Sequence, residues 1–352
     1  MEFLSAMKYS FINVRIRGRK AKLLNAANYE SLLDAENIEE LTRILAESDY
    51  HGLFQEAGNK LVVLDAQLNQ LFIQEIKALV GYLPKASRRF MELYLRRSFL
   101  EGLKTVLRAF ETETSWEDIQ SLLVGSEDEL SEFHELMTAD SLSLMIKRIT
   151  DPFIRNILQE QIELAESLKT TVPLELAIDR WYYASLWEST EKILRRSDRG
   201  VAQQFVGNQI DLLNIQALLR IKQHFPAFDE RMIRDLLIPV NYLLGSALDR
   251  CVISVSPVEI FNHLLDTKYR NFARLARDSF EDSGSVREIE MWAKGYLHDL
   301  AFKMLLGQPF NIGAFLAYLL LKSTEIQNVR AIAVGIASGV DKATIRQHVL
   351  IP

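Results

Sequence analysis

The 352 residues contain one cysteine, Cys251. A lone thiol makes no intrachain disulfide and no thiol-rich metal site, and it points to a cytoplasmic compartment. Proline (8) and glycine (15) are scarce as well. Turn-rich β architectures need more punctuation than this, and alternating strand patterns are nearly absent, so the expected fold class is all-α. Neither sign of charge dominates: 41 Lys and Arg against 47 Asp and Glu leave a net −6. Without a basic footprint, DNA and RNA are not expected partners.

Catalytic signatures are absent in the same way. The six histidines, at 51, 134, 224, 263, 298 and 348, include no His-Glu-x-x-His pair, and AVGIASG lacks the Lys-Ser/Thr ending of a phosphate loop. With no adjacent Asp-Asp pair to hold magnesium and diphosphate, the prenyl-diphosphate synthases are a poor match. No catalytic residue, cofactor or metal is expected. The best candidate for a membrane span, MLLGQPFNIGAFLAYLLL at 304–321, is interrupted by Gly307, Gln308 and Pro309. No transmembrane segment is expected, and Pro309 reads as the start of a buried helix. The opening MEFLSAMKYSFINVRIRGRKAKLL is basic and acid-poor, like a transit peptide, but reads better as an amphipathic first helix.

What is present is helical patterning with 48% hydrophobic residues, in a length that suggests two or three units. Residues 60–83 carry apolar groups at helical spacing, and Pro84 marks a break. Ser115 with Asp118, and Ser256 with Pro257 and Glu259, are capping patterns; Pro173 opens another helix. Gly335 and Gly339 suit close packing and a helix end, with Asp341 as the next N-cap. Trp181, Tyr182, Tyr183 and Trp187 read as core packing. Loops are expected at 111–115, 125–129, 224–229 and 282–285.

One segment poses a problem: AYLLLKSTEIQNVRAIAVGIASG, from Ala317 to Gly339, is apolar at both ends yet carries Lys322, Glu325, Asn328 and Arg330 in its middle. Burying such groups without partners costs several kcal/mol each. Related stretches occur earlier, in DLLNIQALLRIK, FLEGLKTVLRAF and FINVRIRGRK. Aligning Asn13, Gly102, Asn214 and Asn328 as anchors puts an aliphatic residue next in every copy. Arg15, Lys104, Gln216 or Arg330 follows two places after the anchor, and Arg19, Arg108, Arg220 or Val334 six places after it. Asp211 and Glu325 lie one helical turn before their anchors. Beyond the helix come Tyr29, Ile119, Ile233 and Ile345, each followed three residues later by a further pair, apolar in the first three copies. Internal duplication is the working reading.

These stretches, with the N-terminal YSFINVRIRGRKAKLL and the length, resemble the C subunits of archaeal and bacterial V/A-type rotary ATPases, equivalent to the d subunits of vacuolar ATPases. The resemblance implies a funnel of three similar helical domains about a pseudo-threefold axis, here residues 1–115, 116–230 and 231–352. The N-terminal helix would return to close against the last. It implies a non-catalytic central-stalk adaptor, peripheral on the cytoplasmic face of the membrane. Its partners would be the central shaft subunits and the membrane proteolipid ring, and its part the coupling of ATP hydrolysis or synthesis to proton or sodium transport. Gly102, Gln216 and Val334 depart from the repeat. Asn13, Arg15, Lys104, Arg108, Asp211, Asn214, Arg220, Glu325, Asn328 and Arg330 are expected to fasten adjacent units by hydrogen bonds, with direct contact to shaft or ring as the alternative. The competing reading is a free-standing helical enzyme or interaction scaffold.

Overall fold

A computed structural model describes residues 2–51, 61–284 and 287–351, the side chains of 2–8, 62, 66, 121, 283, 287 and 288 excepted. Its described residues form nineteen α-helices and no strand. In chain order these are α1 (Glu2–Lys20), α2 (Ala26–Leu33), α3 (Ile38–Ala46), α4 (Leu61–Val80), α5 (Lys85–Leu95), α6 (Arg97–Glu111) and α7 (Trp116–Ile119). There follow α8 (Glu127–Met137), α9 (Leu142–Arg148), α10 (Pro152–Leu168), α11 (Val172–Ile193), α12 (Arg196–His224) and α13 (Glu230–Leu236). The last are α14 (Ala247–Ile253), α15 (Pro257–Leu264), α16 (Arg270–Ser283), α17 (Arg287–Leu305), α18 (Gly313–Ala337) and α19 (Lys342–Gln347). None of the described helices is long and apolar enough to cross a membrane.

Local chemistry sets many boundaries. Ser115 and Ser256 accept hydrogen bonds from the amides of Asp118 and Glu259 at 3.3 and 3.4 Å, satisfying donors that a helix start leaves open. The expected loop at 125–129 is shorter than its composition suggested. Ser126 and Glu129 form a reciprocal capping box, which starts α8 at Glu127. Pro309 does not begin a helix: it lies in the turn after α17, and α18 starts only at Gly313. The Asn311 side chain accepts the Gly313 amide at 2.8 Å, satisfying a donor that the start of α18 leaves open.

The chain divides into two compact units, 1–88 with 298–352 and 89–297. In the first, α18 packs against α1, α2, α3, α4 and α19. Having neighbours on most faces, it is apolar nearly all round rather than along one stripe. Ile326, Val329, Ile332 and Ala333 join Tyr29, Leu32, Leu41, Leu45, Leu64, Leu68 and Ile345 in one core, each large aliphatic side chain contributing about 1.5–3 kcal/mol on burial. A Cβ on Gly335 would sit 2.5 Å from Ile345, so the glycine is what lets α19 approach. Gly339 then ends the helix at φ +66°, and Asp341 caps α19 through the Thr344 amide at 3.0 Å.

In the second unit α12 plays the corresponding part, packing on α11 and α15. Ile215, Leu218, Leu219 and Ile221 meet Ile233, Leu236, Phe261, Tyr269 and Phe272. Tyr182 and Tyr183 are buried, with Trp181 and Trp187 half-buried, as core packing predicts. The apolar positions following the anchors are mostly buried, but Leu122 is exposed while its neighbour Leu123 is not.

Candidate functional site

The polar centre of α18 is matched group by group. Lys322 and Glu325 stand one turn apart and bond at 2.7 Å, each side chain only 3% exposed. Tyr50 donates its hydroxyl to the same carboxylate oxygen at 2.7 Å, and the Leu24 amide donates to the other at 2.5 Å. Lys322 lies over the Tyr50 ring and also reaches its hydroxyl. Burial first, and then the Glu325 charge, raise the Tyr50 pKa, keeping the phenol a neutral donor. A buried ion pair is tolerable when further hydrogen bonds support it, and here Tyr50 and the Leu24 amide supply them.

Two further α18 residues reach outward from the same helix. Asn328 donates its amide to the Leu350 carbonyl at 2.7 Å and accepts the Leu350 amide at 3.1 Å. Arg330 donates to Asp65 at 2.8 Å and to Asn69 at 2.6 Å, both on α4. Burial raises the Asp65 pKa, and Arg330 offsets only part of that.

The arrangement recurs on α12. Asn214 donates to the Ile238 carbonyl at 3.0 Å and accepts the Ile238 amide at 2.9 Å. Asp211, one turn before it, accepts the amides of Tyr242 and Leu243 at 3.0 and 2.7 Å and the Tyr269 hydroxyl at 2.8 Å. In both helices, therefore, the acid collects backbone amide and tyrosine donors while the asparagine grips a downstream backbone by both its polar groups. Burial raises the Asp211 carboxyl above its usual range, against the pull of the donated amides.

The other two anchors differ. Gly102 on α6 has no side chain to bond, and a Cβ there would come within 2.7 Å of the Phe133 ring. An aromatic ring takes the asparagine's place. Lys104 nevertheless pairs with Asp179 at 2.9 Å and with Glu101 at 3.1 Å. Burial depresses the Lys104 pKa, but the two carboxylates outweigh it and the net shift is upward. Arg108 forks onto Glu175. On α1, Asn13 is buried with no partner on either amide atom, and Arg15 is exposed, its guanidinium over the rings of Phe11 and Tyr82. Neither forms the clamp.

The ion pairs follow an order that the sequence alone did not disclose. Lys104 of α6 reaches Asp179 on α11, the helix before the next anchor helix. Arg220 of α12 reaches Glu290 on α17, again the helix before the next anchor helix. Arg330 of α18 returns to Asp65 on α4, two helices before the first of these anchor helices, α6. Asp65, Asp179 and Glu290 each precede the following anchor by about 35–38 residues; that recurring acid was the available signal.

Chemically the arrangement holds helices together. Asn214, Gln216, Arg220 and Asp179 border one small cleft with Leu176 and Leu236, but Asn214, Arg220 and Asp179 are already engaged. No group of three His, Cys, Asp or Glu placed to hold a metal occurs among the described residues.

Comparison with known proteins supplies the context. The A-type ATP synthase C subunit of Methanocaldococcus jannaschii is 23% identical, over 93% of this chain and 82% of its own. Proteins of the same name from Pyrococcus abyssi and Haloferax volcanii are 25% and 24% identical; the match spans 97% of this chain in both and 90% and 97% of theirs. The family described as ATP synthase (C/AC39) subunit matches residues 12–348. The chain belongs to the ATP synthase (C/AC39) subunit family.

Proposed function

We propose that the chain is the non-catalytic central-stalk adaptor of a V/A-type rotary ATPase. It seats the rotor shaft on the membrane proteolipid ring at the cytoplasmic face and transmits torque between ATP turnover in the head and proton or sodium movement in the ring. Eight of its ten anchor-region residues, Asn13 and Arg15 being the exceptions, serve as internal fastenings of three helical modules arranged as a funnel, not as contacts to shaft or ring. The observation that carries this reading is the order of the ion pairs: Lys104 to Asp179, Arg220 to Glu290, Arg330 to Asp65, with the last module fastened to the first. A torque-bearing socket needs stiffness, and side chains spent on mutual fastening supply it.

The test compares ion uptake and ATP turnover side by side in membranes with and without the chain. The expected result is that head-group ATP hydrolysis survives deletion, ATP-driven pumping is lost, and added purified protein restores pumping without any ATPase activity of its own. Intact pumping in the deletion, or substrate turnover by the isolated chain, overturns it.

A further inference from the structure

The α1 helix buries one face and leaves a second apolar face uncovered. Tyr9, Ile12 and Ile16 are buried. Phe11 and Val14 on the other side are 51% and 71% exposed, and Gly18, with Ala21 in the turn that closes the helix, is exposed as well. Phe11, Val14, Gly18 and Ala21 recur at alternating steps of three and four, the spacing of the a and d positions of a coiled coil. In sequence the same steps continue back to Met7 and Leu4. A Cβ on Gly18 would meet nothing within 4 Å, so the space over the seam is open to another helix.

Charge narrows the occupant. In that register Arg15 and Arg17 fall at the two flanking positions, e and g, which set partner choice in coiled coils. Residues 9–22 include Arg15, Arg17, Arg19, Lys20 and Lys22 and not one acid, in a chain of net charge −6. Arg19 is drawn inward by Glu75 and Lys22 is held by Asp49, which leaves Arg15 and Arg17 on the seam's flanks. Arg15 is preorganised there, its guanidinium 4.7 and 4.6 Å from the Phe11 and Tyr82 ring centres. Tyr82, 43% exposed, widens the apolar surface beside Phe11.

We propose that α1 is a docking seam for one helix of another protein chain, with apolar a and d positions and Asp or Glu at its flanking positions. Small residues at Gly18 and Ala21 let the two helices approach closely at that end, and Phe11 and Val14 supply the larger contacts at the other. The seam is argued from α1 and the neighbouring Tyr82 and does not depend on the adaptor reading.

A photo-crosslinking residue placed at Val14 of the full chain, in its native host membranes, tests this. The expected crosslink maps to a heptad-patterned, acid-flanked segment of a different chain, and its yield falls at least tenfold in the Arg15→Glu, Arg17→Glu double variant with no change in the chain's own melting temperature. A crosslink to a second copy, to lipid or to a non-helical segment overturns the proposal, as does no crosslink or a yield indifferent to charge reversal. The same membranes report pumping, so loss of the adaptor reading and loss of the seam are read separately.

Discussion

Asn328 holds Leu350 by both of its backbone polar groups, donating to the carbonyl at 2.7 Å and accepting from the amide at 3.1 Å. Asn214 does the same to Ile238. A carboxamide is the one uncharged side chain of that reach with a donor and an acceptor side by side, as a peptide group requires.

Replacing Asn328 or Asn214 with leucine strands a buried amide and carbonyl, so each variant should lose about 1–3 kcal/mol of stability. Asn328→Asp should fare no better, since it sets a carboxylate oxygen against the Leu350 carbonyl. Urea unfolding of the isolated chain measures this. Unchanged stability combined with failed assembly would assign the asparagines to partner contact instead.

Lys104 and Asp179 call for a double-mutant cycle. Either single change, Lys104→Met or Asp179→Leu, leaves a buried charge without its closest partner and should cost about 3–5 kcal/mol. The double variant should cost clearly less than the sum of the two. Because the folded Lys104 pKa is raised above its ordinary 10.5, its contribution is present in full below pH 10.5 and fades as the pH rises through the folded value. Strict additivity at neutral pH would reject the coupling.

Two glycines of α12 should respond in opposite directions to alanine. At Gly207 a Cβ would lie 2.4 Å from the Tyr242 ring, and overpacking should destabilise by about 1–3 kcal/mol. Gly200 meets nothing within 4 Å, so alanine should add about 0.5–1 kcal/mol through its helix preference. Melting temperatures that move the same way would contradict this account.

Alkaline pH should unfold the protein through its buried tyrosines. Burial raises the pKa of Tyr182 and Tyr183; burial and a neighbouring carboxylate raise those of Tyr50, Tyr269 and Tyr318. Their folded pKa values exceed the unfolded value of 10, so the unfolded chain sheds its protons first. Stability then falls above pH 10, by about 1.4 kcal/mol per pH unit for each such tyrosine. Tyr269→Phe should remove one such increment from the slope. A stability profile indifferent to that change between pH 10 and 11 would refute it.

The sequence by itself determined the all-helical class, because apolar spacing, caps and scarce Gly and Pro act over a few residues. It also located the polar centre of α18 and the matching Asp211 and Asn214 on α12, since a polar group in an apolar run demands a partner wherever it folds. The helix end at Gly335, Gly339 and Asp341 was legible for the same local reason. Only the tertiary structure decided who the partners are. Nothing near Glu325 in the chain names Tyr50 or Leu24, and nothing near Arg330 names Asp65, because hydrogen bonds across hundreds of residues are selected by which helices pack, not by propensity. Packing likewise set Phe133 into the space over Gly102 and left Asn13, aligned with the other anchors by its neighbours, without a clamp. Periodicity tells which face of a helix is covered; the identity of what covers it is a property of the folded chain.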